Sequence, residues 1–189
     1  MVLCDSWKRV VGKADTGFAI SDIVDSMLGR ALVLTISDTA AAGKREDLSG
    51  PEARRILSEA GFEVAAIEIL PDERSAIEWR LRRASEEDFR LVVTSGGTGL
   101  SPRDVTPEAT LAVIDRNVPG IAEMMRLESL KATPRAALSR AVSGIRQSTL
   151  IINLPGSVKG VRECLTAVRP ILSHAMDVLG QSSLGCGET

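Results

Sequence analysis

Four short apolar runs recur along the chain with helix-like stretches between them: RALVLTIS (Arg30–Ser37), FEVAAIEIL (Phe62–Leu70), FRLVVTS (Phe89–Ser95) and STLIINL (Ser148–Leu154). Runs this short and this rich in Val, Ile and Leu read as strands covered on both faces. Strands that alternate with helices imply right-handed crossovers and a parallel sheet packed between helices. The expected fold is therefore α/β, a three-layer α/β/α sandwich with a mostly parallel central sheet.

The intervening segments carry helix punctuation. In LSGPEARRILSEAG, Gly50 is the expected N-cap, Pro51 the first helical residue and Gly61 the stop. SAIEWRLRRASEED reads as an amphipathic helix, and PEATLAVIDRNVPGIAEMMRLESL as helix interrupted near Val118-Pro119-Gly120. TPRAALSRA reads as a further helix, and SVKGVRECLTAV and RPILSHAMDVLG as two terminal helices.

At 189 residues with no low-complexity tract, one domain over residues 29–189 is expected. Residues 1–28 do not fit the periodic pattern and are read as an N-terminal extension outside the ordered domain. Formal net charge is -2, no basic run exceeds a dipeptide, and aromatic residues make up 3% with no tyrosine, which argues against nucleic acid as a partner. Cys4, Cys164 and Cys186 have no CxxC spacing, and the lone His174 makes no zinc set with them. With no long apolar run and no secretory-type N-terminus, the expectation is a cytoplasmic chain without a membrane partner.

Ligands of parallel sheets collect at the carboxyl ends of the strands. Three unusual segments fall at such exits: Pro71-Asp72-Glu73, the stretch TSGGTGLSPRDVTPEA from Thr94 to Ala109, and Leu154-Pro155-Gly156-Ser157. Gly96, Gly97 and Gly99 permit positive φ and close approach of backbone amides, while Ser95 and Thr98 add hydroxyl donors. Thr106-Pro107-Glu108 reads as an N-cap and first turn whose amides point back at the loop. An anion such as phosphate suits that cradle. It is neither a P-loop, since no Gly-Lys-Ser or Gly-Lys-Thr step exists, nor a dinucleotide fingerprint, since Pro102 stands where the third glycine is needed. A glycine-rich turn without a ligand is the alternative.

Asp104, inside the loop, and Asp72, at the neighbouring exit, shift the balance. Carboxylates beside a phosphate cradle call for a cation between them, and Mg²⁺ is the usual one in nucleotidyl transfer. The competing reading makes Asp72 a helix cap and Asp104 an Asx-turn.

Taken together, TISD, DLSGP, LPDE, TSGGTGLSPRDVTPEAT, PGIAEMMR, LSRAVSGI and INLPGS, in that order from Thr35 to Ser157, resemble the MogA/MoaB family of molybdenum-cofactor biosynthesis. The resemblance covers nearly everything after Arg30. It implies the family's molybdopterin-binding fold and a molybdopterin adenylyltransferase, in which ATP and molybdopterin give adenylylated molybdopterin and pyrophosphate with Mg²⁺. By the same resemblance, Asp72 and Asp104 match the aspartates used for catalysis and metal handling, and Ser95, Gly96, Gly97, Thr98 and Gly99 match the nucleotide and pterin phosphate loop. Pro155, Gly156 and Ser157 match a second ligand-contacting turn, and Asp47, Ser49 and Gly50 a loop at the pocket rim. The family likeness further implies a homotrimer and hand-over of product to a MoeA-like molybdenum insertase. Two other readings follow from the same likeness: a MoaB-type protein that binds molybdopterin or its precursor without transfer, and a trimeric scaffold domain.

Overall fold

In the computed structural model, residues 27–181 are described; the extension expected at the N-terminus lies, up to residue 26, outside the described residues. Six strands form one sheet in the order β2-β1-β3-β6-β5-β4: β1 (Gly29–Ile36), β2 (Phe62–Leu70), β3 (Leu91–Ser95), β4 (Arg116–Asn117), β5 (Ser143–Arg146) and β6 (Thr149–Leu154). The first four in that order are parallel, with Val33 opposite Ile67 and Val93, and Val93 opposite Ile152. β5 and β4 are added antiparallel at one edge. The helices are α1 (Asp38–Ala41), α2 (Ser49–Glu59), α3 (Arg74–Glu86), α4 (Thr106–Leu111), α5 (Pro119–Leu130) and α6 (Val158–Gln181), with a 3-10 turn at Pro134–Leu138.

Side chains that alternate along each strand divide the core in two. Ala31, Val33, Leu91, Val93 and Ile152 pack against Ile56 and Leu57 of α2, Met125 of α5 and Leu165 of α6. Leu32, Leu34, Val92 and Ile151 pack on the other face against Ile77 and Leu81 of α3 and Ala109 of α4. This is the expected three-layer sandwich, and its apolar burial supplies the main drive for folding.

Several expected boundaries give way to tertiary context. Gly50 is not the cap of α2 but lies inside it; Asp47 does the capping instead, its Oδ1 accepting from the amides of Ser49 and Gly50 at 2.9 and 3.0 Å. The helix expected to continue beyond Leu111 ends there, because the chain must run out as β4 to pair with β5. TPRAALSRA forms only the 3-10 turn. The two terminal helices are one, α6, with Pro170 inside it. The buried stripe Val161, Leu165, Val168, Leu172 and Met176 runs unbroken past the proline and offsets the backbone hydrogen bond it lacks.

β1 leads to β2 on one side and, after α3, to β3 on the other. The chain therefore reverses direction across the sheet at the carboxyl ends of β1 and β3, where such folds bind ligands.

Candidate active site

β3 ends at Ser95 and the glycine loop begins at once. Gly96 and Gly97 adopt φ of +110° and +62°. A Cβ on Gly96 would stand 2.2 Å from the carbonyl oxygen of Ile36, and one on Gly97 2.3 Å from Thr106 Oγ1. No other residue fits either position. The loop is fixed from both sides. Thr106 donates its hydroxyl to Gly96 O at 3.0 Å and its amide to Gly97 O at 3.1 Å, so it anchors the loop instead of capping α4. The amide of Gly96 donates to Leu154 O, and the buried Ser95 hydroxyl donates to Pro155 O, both at 3.1 Å. Ser95 thus joins the glycine loop to the Pro155–Ser157 turn, with its hydroxyl already engaged. The amides of Gly97, Thr98, Gly99 and Leu100 have no protein acceptor among the described residues. Consecutive unpaired amides of this kind form an anion cradle.

Gly96–Gly99 and the Pro155–Ser157 turn line one cavity of about 520 Å³. Asp104 lines it too, with Met125 and Arg126 of α5, Arg135 and Leu138 of the 3-10 turn, and Lys159 and Cys164 of α6. Asp104 Oδ2 accepts from the Ser101 amide at 2.8 Å, three residues back, and not from the Thr106 amide as an Asx-turn requires, while the carboxylate still reaches the cavity wall. Arg126 donates to the carbonyls of Ser139 and Ala141, at 3.4 and 3.0 Å.

Asp72 lies against the other flank of the loop. A Cβ on Gly97 would be 3.0 Å from its Oδ1, whereas the nearest such point to Asp104 is Gly99, at 2.9 Å from Oδ2. Burial pushes the Asp72 carboxyl up, and the charges of Asp38 and Asp104 push it in the same direction. The two aspartates thus share one end of the sheet, and Asp72 senses the charge of Asp104. Asp72 does not line the cavity; its Oδ2 accepts from the Asp38 amide at 2.9 Å. Arg103 forks onto Asp38 at 2.8 to 3.1 Å, and that hydrogen bonding holds the Asp38 carboxyl below the usual range.

Asp47, Ser49 and Gly50 stand apart from the cavity. Asp47 Oδ2 accepts from Thr35 Oγ1 at 2.7 Å and Oδ1 from Ser49 Oγ at 2.9 Å, so the carboxylate bolts the start of α2 to β1. Burial works against its ionisation, but the Gly50, Thr35 and Ser49 donors outweigh this and keep its carboxyl low.

Sequence reasoning assigned no role to the cations Arg126, Arg135 and Lys159, although Arg126 lies in the PGIAEMMR segment and Lys159 two residues beyond the LPGS turn. It also passed over Asn153. This fully buried amide donates to Thr94 Oγ1 and Thr110 Oγ1 at 3.0 and 2.9 Å and accepts from Val142 N at 3.2 Å, tying α4 to the sheet beneath the glycine loop.

The profile of the family described as "Probable molybdopterin binding domain" matches residues 32–174. A molybdopterin adenylyltransferase of Helicobacter pylori strain J99 is 47% identical over 150 residues, which cover 78% of this chain and 85% of that protein. The molybdenum cofactor synthesis protein cinnamon of Drosophila melanogaster is 44% identical over 150 residues, 78% of this chain but only 25% of that longer protein. Among solved structures, the molybdopterin biosynthesis enzyme MoaB from Thermus thermophilus superposes with a TM-score of 0.76 at 52% identity, covering 80% of this chain and 96% of that one. MogA superposes with a TM-score of 0.77 at 39% identity, covering 79% and 99%. On its sequence, its fold and the loops that build its cavity, this chain belongs to the molybdopterin-binding-domain family of molybdenum-cofactor biosynthesis.

Proposed function

We propose that the chain is a molybdopterin adenylyltransferase, joining the AMP of ATP to the terminal phosphate of molybdopterin with release of pyrophosphate. One observation carries this reading: the acceptorless amides of Gly97–Leu100 lie beside a cavity that also carries Asp104, Arg126, Arg135 and Lys159. A phosphate oxygen of molybdopterin attacks the α-phosphorus of ATP, forming one P–O bond. The bond to the bridging oxygen of the β-phosphate breaks, and pyrophosphate leaves with the electron pair. The nucleophile is already ionised near neutral pH, so no histidine base and no covalent enzyme intermediate are needed. The loop amides offset charge that grows on the phosphate oxygens, and Arg126, Arg135 and Lys159 hold anionic groups in the cavity.

Mg²⁺ suits the acidic residues present. Among the described residues no group of three or more His, Cys, Asp or Glu converges on a metal position. That matches an ion held by one or two carboxylates and by substrate phosphates. Asp72 and Asp104 would hold it, and ionisation of Asp72 is opposed by burial and by the charges of Asp38 and Asp104, a cost that a cation relieves. The chemistry magnesium supplies is neutralisation of phosphate charge.

Homotrimerisation, a cytoplasmic location and hand-over of the product to a MoeA-like insertase belong to the same proposal, and light scattering tests the first of these. The 52% identity to a MoaB favours a second reading, binding of molybdopterin or its precursor without transfer. Incubating the protein with molybdopterin, ATP and Mg²⁺ separates the two. Adenylylated product supports the transferase, and molybdopterin binding without product selects the second reading.

A further inference from the structure

Arg140 follows the 3-10 turn and does not line the cavity, yet it gathers the back of the glycine loop. Its amide donates to Thr98 O at 3.0 Å and its Nε to Gly99 O at 2.7 Å. Nη2 donates to Asp104 O, and Nη1 pairs with Glu108 at the start of α4. One residue thereby holds three carbonyls of a loop whose next amides are acceptorless. In a trans peptide the C=O of one residue and the N–H of the next point in opposite directions. Drawing the Thr98 and Gly99 carbonyls toward Arg140 therefore turns the Gly99 and Leu100 amides the other way. Thr98, Gly99 and Asp104 line the cavity and Arg140 does not, so the guanidinium holds the Gly99 and Asp104 carbonyls, and the Arg140 amide the Thr98 carbonyl, behind the wall.

We infer that Arg140 is a positioning residue: it sets the peptide planes of the glycine loop so that amides, not carbonyls, meet the phosphate oxygens of the substrate. The inference rests on the proposed function for its ligand class, but not on turnover. A lysine cannot replace the planar fork, because its ammonium cannot span Gly99 O, Asp104 O and Glu108 with the same directions. A carbonyl released from Arg140 is free to swing toward the cavity, where it repels the anion that the amide would have bound.

The test is calorimetric binding of pyrophosphate, in the presence of Mg²⁺, to the full-length chain and its variants, with a thermal melt of each. Arg140→Lys is expected to remain folded and to bind pyrophosphate about tenfold more weakly or worse. Arg140→Ala should lose more and regain part of that affinity when methylguanidine is added. Wild-type affinity in either folded variant overturns the inference. So does a loss that tracks loss of folded protein in the melt and is not restored by methylguanidine. Should both variants fail to fold, Glu108→Ala removes the acceptor that anchors Nη1 and so loosens the fork that holds the Gly99 and Asp104 carbonyls. A roughly two- to fivefold loss of pyrophosphate affinity is expected there, and an unchanged value overturns the inference. Wild-type protein that binds pyrophosphate but forms no adenylylated product ends the transferase reading and leaves this one standing; wild-type protein that binds no pyrophosphate ends this one.

Discussion

Asp38 and Asp72 exchange hydrogen bonds in both directions. The Asp38 amide donates to Asp72 Oδ2 at 2.9 Å, and the Asp72 amide donates to Asp38 Oδ1 at 3.0 Å. The exits of β1 and β2 are thereby locked together beside Gly97, and two carboxylates are brought close with Arg103 paired to Asp38. The crowding is costly for Asp72, whose carboxyl is pushed up by burial and by the charges of Asp38 and Asp104.

The cost has a sign that can be measured. Asp72 is raised above its ordinary value of 3.8, mainly by burial. A carboxyl raised in the folded state favours folding while protonated, and that benefit is lost as pH rises through the folded-state value. Asp72→Asn, which can still accept from the Asp38 amide, should therefore melt higher than wild type at pH 7, by no more than about 1 kcal/mol after solvent screening. The difference should vanish below about pH 3, where the carboxyl is protonated in the folded and the unfolded chain alike. Turnover should fall even as stability rises. A wild-type melt that gains nothing from the substitution at pH 7 would show that the carboxylate is not strained there.

Asp104 is the test of the catalytic reading, because its carboxylate lines the cavity while its Oδ2 holds the Ser101 amide. Asn keeps an acceptor for that amide and removes the charge. Asp104→Asn should keep the melting temperature within a few degrees of wild type and lower turnover by about 100-fold or more. Near-normal formation of adenylylated product would take Asp104 out of the mechanism.

Gly97 shows how narrowly the loop is built. Alanine there meets Thr106 Oγ1 at 2.3 Å in a backbone with φ of +62°. Gly97→Ala should cost about 1 to 3 kcal/mol from left-handed backbone and crowding together. Denaturant unfolding measures the loss, and pyrophosphate binding should weaken with it because the same shift displaces the cradle.

What the sequence made legible, and what it hid, divides along physical lines. β1, β2, β3 and β6 are apolar runs of five to nine residues bounded by punctuation, and all four were readable. β5 and β4 were not. They are four and two residues long, and the hairpin that joins β5 to β6 turns through Gln147 at φ +52° without the glycine or asparagine that signals such a turn. The glycine loop announced itself, as did the two aspartates, since glycine clusters and lone carboxylates at strand exits are local signals. The roles of Asn153 and Arg140 are not local: one reaches Thr94 and Thr110 through the sheet, and the other closes on Gly99 from 41 positions away in sequence. Asp47 was placed at the pocket rim by likeness; its four donors, from Thr35, Ser49 and Gly50, tie it to the start of α2.

Pro170 gives the remaining prediction, because it makes two expected helices into one. A proline in a helix interior removes an amide donor and crowds the carbonyl one turn back, which belongs to Thr166. The cost is about 3 kcal/mol relative to alanine, partly offset because proline also restricts the unfolded chain. The site is exposed and the buried stripe of α6 runs on either side of it, so nothing else is gained by keeping the ring. Pro170→Ala should stabilise the protein by about 1 to 2 kcal/mol, read as a higher denaturation midpoint in urea with an unchanged slope. Because Pro170 lies six residues beyond Cys164, the last residue of α6 to line the cavity, pyrophosphate affinity should not change. A destabilised variant would mean that the proline ring packs in a way that its exposure conceals, and that the continuity of α6 depends on it.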